Sequence, residues 1–203
     1  MWLTLNRRDL RVSVFIGFFA GILALPTIYH LDIYPVNAFT VFATVIGLTI
    51  FTPAGYLVAY GLSRWFTWIL QFVKFGIVGG SNAMVDLGVL NFLIYLTGIA
   101  SGWQYGLFKS ISFMFGVTNS YLWNRNWTFH SESQEKTMEF TKFVFVNVIG
   151  AAINISSALF IVNVIGIRGD FSPEQWANIG ALSSVAISLV WNFLGMKFIV
   201  FKK

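Results

Sequence analysis

Residues 72–99 read FVKFGIVGGSNAMVDLGVLNFLIYLTGI, and residues 140–167 read FTKFVFVNVIGAAINISSALFIVNVIGI. Each is longer than the roughly 20 mostly apolar residues that cross a bilayer as a helix. At a shift of 68 residues, Phe72, Lys74, Phe75, Val78, Ala83, Gly98 and Ile99 meet Phe140, Lys142, Phe143, Val146, Ala151, Gly166 and Ile167. The spans that follow match at a shift of 72, where Tyr121, Arg125 and Phe129 meet Phe193, Lys197 and Phe201. The chain therefore repeats a two-span unit, and two spans return it to the side it left. Both copies then share one orientation, a parallel repeat about an axis along the membrane normal rather than an inverted one.

Outward from the repeat, apolar runs predict about six transmembrane helices, at 12–30, 36–62, 72–98, 104–124, 140–166 and 176–199. The fold class is all-α, a polytopic membrane helical bundle whose last four helices are the duplicated unit. Residues 1–68 form an added hairpin with an interfacial segment, and residues 69–203 the four-helix domain. The first span follows Arg7, Arg8 and Arg11 as a signal peptide would, but no small-residue cleavage site follows, so it reads as a retained helix, with Pro26 near its end. Arg64–Gln71 (RWFTWILQ) reads either as a short interfacial helix or as an extension of the second span.

Composition agrees. Of 203 residues 57% are hydrophobic and 10% charged, with 22 Phe and 8 Trp, and the mean hydropathy is +0.72. So few charges cannot cover that much apolar surface in water, and bilayer is the natural solvent. The net charge of +5 belongs to topology rather than to nucleic acid. With the N-terminus in the cytoplasm, Arg7, Arg8, Arg11, Arg64, Lys74, Arg125, Lys136, Lys142, Lys197, Lys202 and Lys203 fall on that side. Only Lys109 and Arg168 fall outside, a split of 11 to 2 that follows the positive-inside rule and puts both termini in the cytoplasm. Trp2, Trp65, Trp68, Trp103, Trp123, Trp127 and Trp176 sit near span ends, as an aromatic belt requires. Small residues four apart, Gly17 and Gly21, Ala43 and Gly47, Gly76 and Gly80, suit close helix packing.

The chain has no cysteine, which excludes disulfides and thiolate chemistry, and two distant histidines, His30 and His130, do not make a metal cluster. No Gly-x-x-x-x-Gly-Lys-Ser/Thr loop exists to bind ATP. No paired carboxylates occur in the spans, and Glu132, Glu135 and Glu139 read as a solvated loop, so an enzyme is not expected.

Polar residues inside spans carry the functional interest. Asp86 lies 14 residues past Phe72, roughly 21 Å along a helix and inside the hydrocarbon. An ionisable group there is a functional candidate unless paired. Lys109 is the other charge within a span. In the second copy Asp86 becomes Asn154 and Lys109 becomes Ala181, so both charges are lost together, which predicts an Asp86–Lys109 pair. Gly79, Asn82 and Asp86 share one helix face, as do their mates Asn147, Gly150 and Asn154 with Ser157. Lys109, Ser112, Gly116 and Asn119 form a stripe on the fourth span, and Ser184 and Ser188 on the sixth. Four such stripes facing inward would enclose a small hydrophilic pocket; the plainer reading is hydrogen bonding between helices. At the end of the fourth span, Arg125 between Asn124 and Asn126, with Lys197 as its mate, offers a cation within an aromatic ring set that would grip a headgroup phosphate. Plain anchoring is the competing role, above all for Lys197.

Phe-x-Lys-Phe-x-x-x-Gly-Gly-x-Asn with Asp86, followed by Asn-Ser-Tyr-x-Trp-Asn-Arg-x-Trp-Thr-Phe, resembles the GtrA-like family over residues 70–203. The degenerate second copy, ending in Asn-Phe and Phe-Lys, fits; the first two spans fall outside the usual four-helix pattern. The resemblance implies flipping of a polyprenyl-phosphate-linked sugar across the cytoplasmic membrane for cell-surface polysaccharide synthesis. The alternative it implies is a membrane anchor that recruits a glycosyltransferase. It points to Asp86, Lys109, Arg125 and Asn82, with Asn119, Asn124 and Lys197 behind them, as substrate-binding residues. Lipid, a glycosyltransferase and further copies of the chain are the expected partners, and no cofactor is implied.

Overall fold

The computed structural model describes residues 5–30, 35, 37–99, 102–167, 169 and 173–202. Trp2, Arg168 and Lys203, placed above by charge and by the aromatic belt, lie outside them, as do the side chains of Trp176 and Ala181. Six long α-helices occur among the described residues: α1 (Arg7–His30), α2 (Ala38–Leu62), α3 (Ile69–Thr97), α4 (Gly102–Trp123), α5 (Lys136–Leu159) and α6 (Pro173–Gly195). Each begins or ends within a few residues of an apolar run, because an apolar helix satisfies every backbone group internally, as lipid demands. The stretches Arg7–Ile28, Ala38–Leu62, Ile69–Thr97 and Ser183–Val200 are long and apolar enough to cross a membrane. The polar stripes lie chiefly on α4 and α5, whose 22 and 24 residues extend about 33 and 36 Å.

Three π-helical turns follow α-helices: Asn124–Thr128 after α4, Phe160–Ile165 after α5, and Met196–Val200 after α6. The first and last are equivalent in the repeat. The amide of Phe129 donates to the Asn124 carbonyl at 2.9 Å, and that of Phe201 to the Met196 carbonyl at 2.8 Å. The rings that these turns deliver dock alike, Phe129 on Phe75 with centroids 6.3 Å apart and Phe201 on Phe143 at 6.4 Å. Val78 and its mate Val146 are both fully buried. Gly98 and its mate Gly166 both have positive φ, 70° and 67°, which disfavours any residue with a Cβ, but Gly98 caps α3 in the left-handed helical region whereas Gly166 is extended at ψ 172°. The duplication holds at the level of the backbone.

The chain divides by packing into two compact units, Met1–His130 and Ser131–Lys203. In the first, α1 packs on both α2 and α3, and α3 packs on α4; in the second, α5 packs on α6. The added hairpin thus belongs with the first copy, a different division from the repeat-based one at residue 68. Asp9, Ser13, Ile16, Ala20 and Ala24 form the buried stripe of α1. Gly17 and Gly21 let α2 approach: a Cβ on Gly17 would run into the Leu48 carbonyl oxygen, and one on Gly21 would lie 2.7 Å from the Val45 Cα. Gly88 gives α1 the same access to α3, 2.9 Å from the Leu23 carbonyl oxygen. The other spaced pairs do not act this way, since a Cβ on Gly47, Gly76 or Gly80 meets open space. Periodicity marks those small residues, but it does not say which face a neighbour takes.

Arg64–Gln71 is neither an interfacial helix nor a continuation of α2. Turns at Ser63–Trp65 and Thr67–Trp68 reverse the chain, and α3 begins at Ile69. Trp65, Phe66 and Trp68 are exposed on this turn, a position that suits aromatic rings at a membrane interface.

Candidate functional site

Two polar constellations occupy the first unit. One lies on the seam between α3 and α4. Asn82 and Asp86 are one turn apart on α3, and Ser112, Gly116 and Asn119 follow helical spacing on α4. The Ser112 hydroxyl, fully buried, donates to Asp86 Oδ1 at 2.6 Å. Gly116 supplies clearance, for a Cβ there would lie 3.1 Å from Asn82 Oδ1 and 3.4 Å from the Asp86 Cβ. Asn82 Oδ1 and Asn119 Nδ2 are buried with no hydrogen-bond partner. Buried amide atoms without partners are uncommon in folded proteins and single out this seam. Asp86 is thus turned to the α4 side of its helix. The expected contact with Lys109 falls on a side chain outside the described residues.

In the second unit the same seam is quieter. Ser184, the mate of Ser112, is also buried. Asn154, standing for Asp86, donates to Ser188 at 3.2 Å, and Asn147 donates to the Phe143 carbonyl at 2.8 Å. Asn192 crowds Gly150, where a Cβ would collide with its Oδ1. Only the first copy pairs the seam with a carboxylate.

The remaining candidates gather at the π turns. Asn124 is buried, donates to Ser120 Oγ at 3.3 Å, and leaves its Oδ1 without a partner. Asn126 instead bonds its own helix, donating to the Leu122 carbonyl at 2.8 Å. The two amides flanking Arg125 therefore face different ways and do not form one ring of donors around it. Lys197 lies over Phe193 and Phe198, its Nζ 5.7 and 5.6 Å from their centroids, the cation-in-aromatics arrangement that spacing suggests.

The second constellation has no forerunner in the sequence pattern. Asp9, on α1, is buried among three side chains from three other elements. Lys74 Nζ lies 2.5 Å from its Oδ2, and Trp127 Nε1 donates to its Oδ1 at 3.0 Å. The Tyr56 hydroxyl approaches Oδ2 at 3.5 Å. Lys74 Nζ also sits 5.4 Å from the Trp127 ring centroid and 6.0 Å from that of Tyr56. Both members of the ion pair are only 7% and 6% exposed. Charge counting makes Lys74 one more flanking cation. The only signal of its role is a lone acid, Asp9, inside a run of arginines. Loss of the indole hydrogen bond to a charged acceptor costs about 1.5–3 kcal/mol, so Trp127→Phe should lower the thermal unfolding midpoint in detergent, whereas Trp123→Phe should change it less. Glu139 is a correction of the same kind. It is buried at the first turn of α5 and accepts from the Ser131 hydroxyl, while Glu132 and Glu135 are exposed.

Among the described residues no group of acids and histidines is arranged to hold a metal ion. The family model for GtrA/DPMS, transmembrane domain, matches residues 74–201, from the lysine that holds Asp9 to the ring that closes the second π turn. The chain belongs to this family. A relative, the uncharacterised membrane protein YngA of Bacillus subtilis (strain 168), is 32% identical over 80 residues, covering 39% of this chain and 51% of that protein. The chain thus aligns with about half of that relative's length. No solved structure matches the chain. Membership in the GtrA/DPMS family, together with the long apolar helices, makes it a multi-pass membrane protein. Residues 7–62, with Asp9 and the whole of α1 and α2, lie outside the matched region.

Proposed function

We propose that the chain moves a polyprenyl-phosphate-linked sugar between the leaflets of the cytoplasmic membrane, serving cell-surface polysaccharide synthesis, with both termini in the cytoplasm and no catalysis of its own. The observation that carries this reading is the α3–α4 seam. A carboxylate, a hydroxyl and two amides with unused hydrogen-bonding atoms line one side of helices whose other faces are apolar. A sugar offers hydroxyls that satisfy such groups, while its prenyl tail stays in lipid. Gly116 keeps α4 close against Asn82 and Asp86, so passage of a sugar along the seam requires α3 and α4 to part there. Lys109 towards the outer face and Arg125 at the inner one would each receive the phosphate.

The test is transfer of a fluorescent polyprenyl-phosphate sugar between leaflets of vesicles holding the full chain. Asp86→Ala and Lys109→Ala should each slow transfer at least about tenfold, a loss of roughly 1.4 kcal/mol in transition-state stabilisation. Unchanged transfer in both variants defeats the reading. A second role, recruiting a glycosyltransferase, draws support from the family description, which joins GtrA with a DPMS transmembrane domain. It is favoured if the variants transfer normally while a co-expressed glycosyltransferase no longer co-purifies.

A further inference from the structure

The face of α1 outside the matched family region carries a second, differently built polar feature. Arg7, Arg8 and Arg11 border a groove of about 360 Å³ whose other walls are Val12, Phe15 and Trp123. Arg7, Arg11 and Phe15 repeat at intervals of four, as do Arg8 and Val12, so cations stand above apolar side chains along one side of the helix. The three arginines are exposed. Among the described residues no ion pair engages them, and the acid beside them in sequence, Asp9, is turned inward and neutralised by Lys74. Three guanidinium groups therefore present uncompensated charge to one groove. Below them the wall is aromatic: Phe15 meets Trp123 at 6.0 Å and Phe19 at 4.4 Å between centroids, and both phenylalanines are about half exposed.

We propose that this groove seats the phosphate of a single-chain isoprenoid lipid, with the chain running down past Val12, Phe15 and Phe19. Guanidinium forks match phosphate oxygens in geometry and charge, and a helix face that is basic above and aromatic below matches a phosphate on a hydrocarbon stem. The choice of an isoprenoid carrier rests on the function proposed above; the match to a lipid phosphate rests on the groove alone. The added hairpin would then load the carrier that the α3–α4 seam handles.

Farnesyl phosphate carrying a photoactivatable diazirine on its chain tests this on the full protein in nanodiscs, with the labelled peptides mapped by mass spectrometry. Labelling should centre on residues 12–19 and fall at least tenfold in the triple variant R7Q/R8Q/R11Q. If that variant fails to insert, R11Q alone should lose at least threefold. Farnesol should not compete. Dioleoylphosphatidylglycerol competing as well as unlabelled farnesyl phosphate would reduce the groove to a general anionic anchor, and protection by inorganic phosphate alone would make it a free-phosphate site; either overturns the proposal. Labelling indifferent to the arginines also overturns it. Transfer lost in Asp86→Ala with labelling indifferent to the arginines removes the seat alone. Normal transfer in Asp86→Ala with arginine-dependent labelling removes the transport reading and keeps the seat.

Discussion

Replacing Asp9 by alanine should destabilise the first unit by about 3–5 kcal/mol, the range seen when one partner of a buried ion pair is removed. The physical reason is the state in which Lys74 is left. Its ammonium group is almost wholly buried, and a methyl group in place of the carboxylate would offer it no acceptor. Only the faces of Trp127 and Tyr56 would remain beside the charge, and ring faces return about 0.5–2 kcal/mol. The Trp127 indole N–H would lose its acceptor at the same time. Thermal unfolding in detergent reads the loss directly. The double variant D9L/K74M should recover most of it, because a well-packed apolar pair often equals or betters a buried ionic one. Additive losses in the two single variants, or an Asp9→Ala variant within about 0.5 kcal/mol of the parent, the spread of ordinary surface changes, would show that the pair does not hold the hairpin.

Gly17→Val should open the contact between α1 and α2. The Cβ of any larger residue would collide with both Thr52 Oγ1 and the Leu48 carbonyl oxygen. Thr52 already donates to that carbonyl, so the intruding methyl groups meet a side chain tied to the backbone as well as the backbone itself. Rotation of one side chain cannot relieve this, and the helices must separate. Overpacking of this kind costs about 1–3 kcal/mol and occasionally more. Gly47→Val is the matched control, since a Cβ there meets open space, and it should shift the unfolding midpoint little. Equal effects at the two glycines would mean that the close approach at Gly17 does not set the hairpin's geometry.

These two variants bear on the part of the molecule that sequence explains least. Helix number and ends are legible because lipid leaves the backbone so few alternatives, and apolar runs record that constraint directly. The duplication is legible through Phe75, Val78 and Phe129 with their mates, each of which performs the same structural task in both copies. The shared face of Asn82 and Asp86 is legible in their four-residue spacing, whereas its packing against α4 is shown by the Ser112 hydrogen bond. What periodicity cannot supply is partnership across long separations. Asp9 and Trp127 lie 118 residues apart, and neither belongs to a pattern that names the other. The π turns are hidden for another reason. A π turn holds more residues per turn than its neighbours, and an apolar, aromatic stretch shows no interruption when that happens. Asn124 and Asn126 flank Arg125 in sequence, but two residues apart on any helix they point to different sides, as their separate partners Ser120 and Leu122 show.

The π turns after α4 and α6 also record an order of events. An irregularity of helix winding at the same point in both halves is most simply inherited from one ancestor that already had it, so the surplus residue predates the doubling of the two-helix unit. The Asp86-to-Asn154 difference arose after that doubling, once the halves were free to drift. Asp9 comes from a segment with no counterpart in either half, and its partner Lys74 belongs to the first of them. The two halves thus share their winding, while the carboxylate of the seam and the clasp on the hairpin belong to the first half alone.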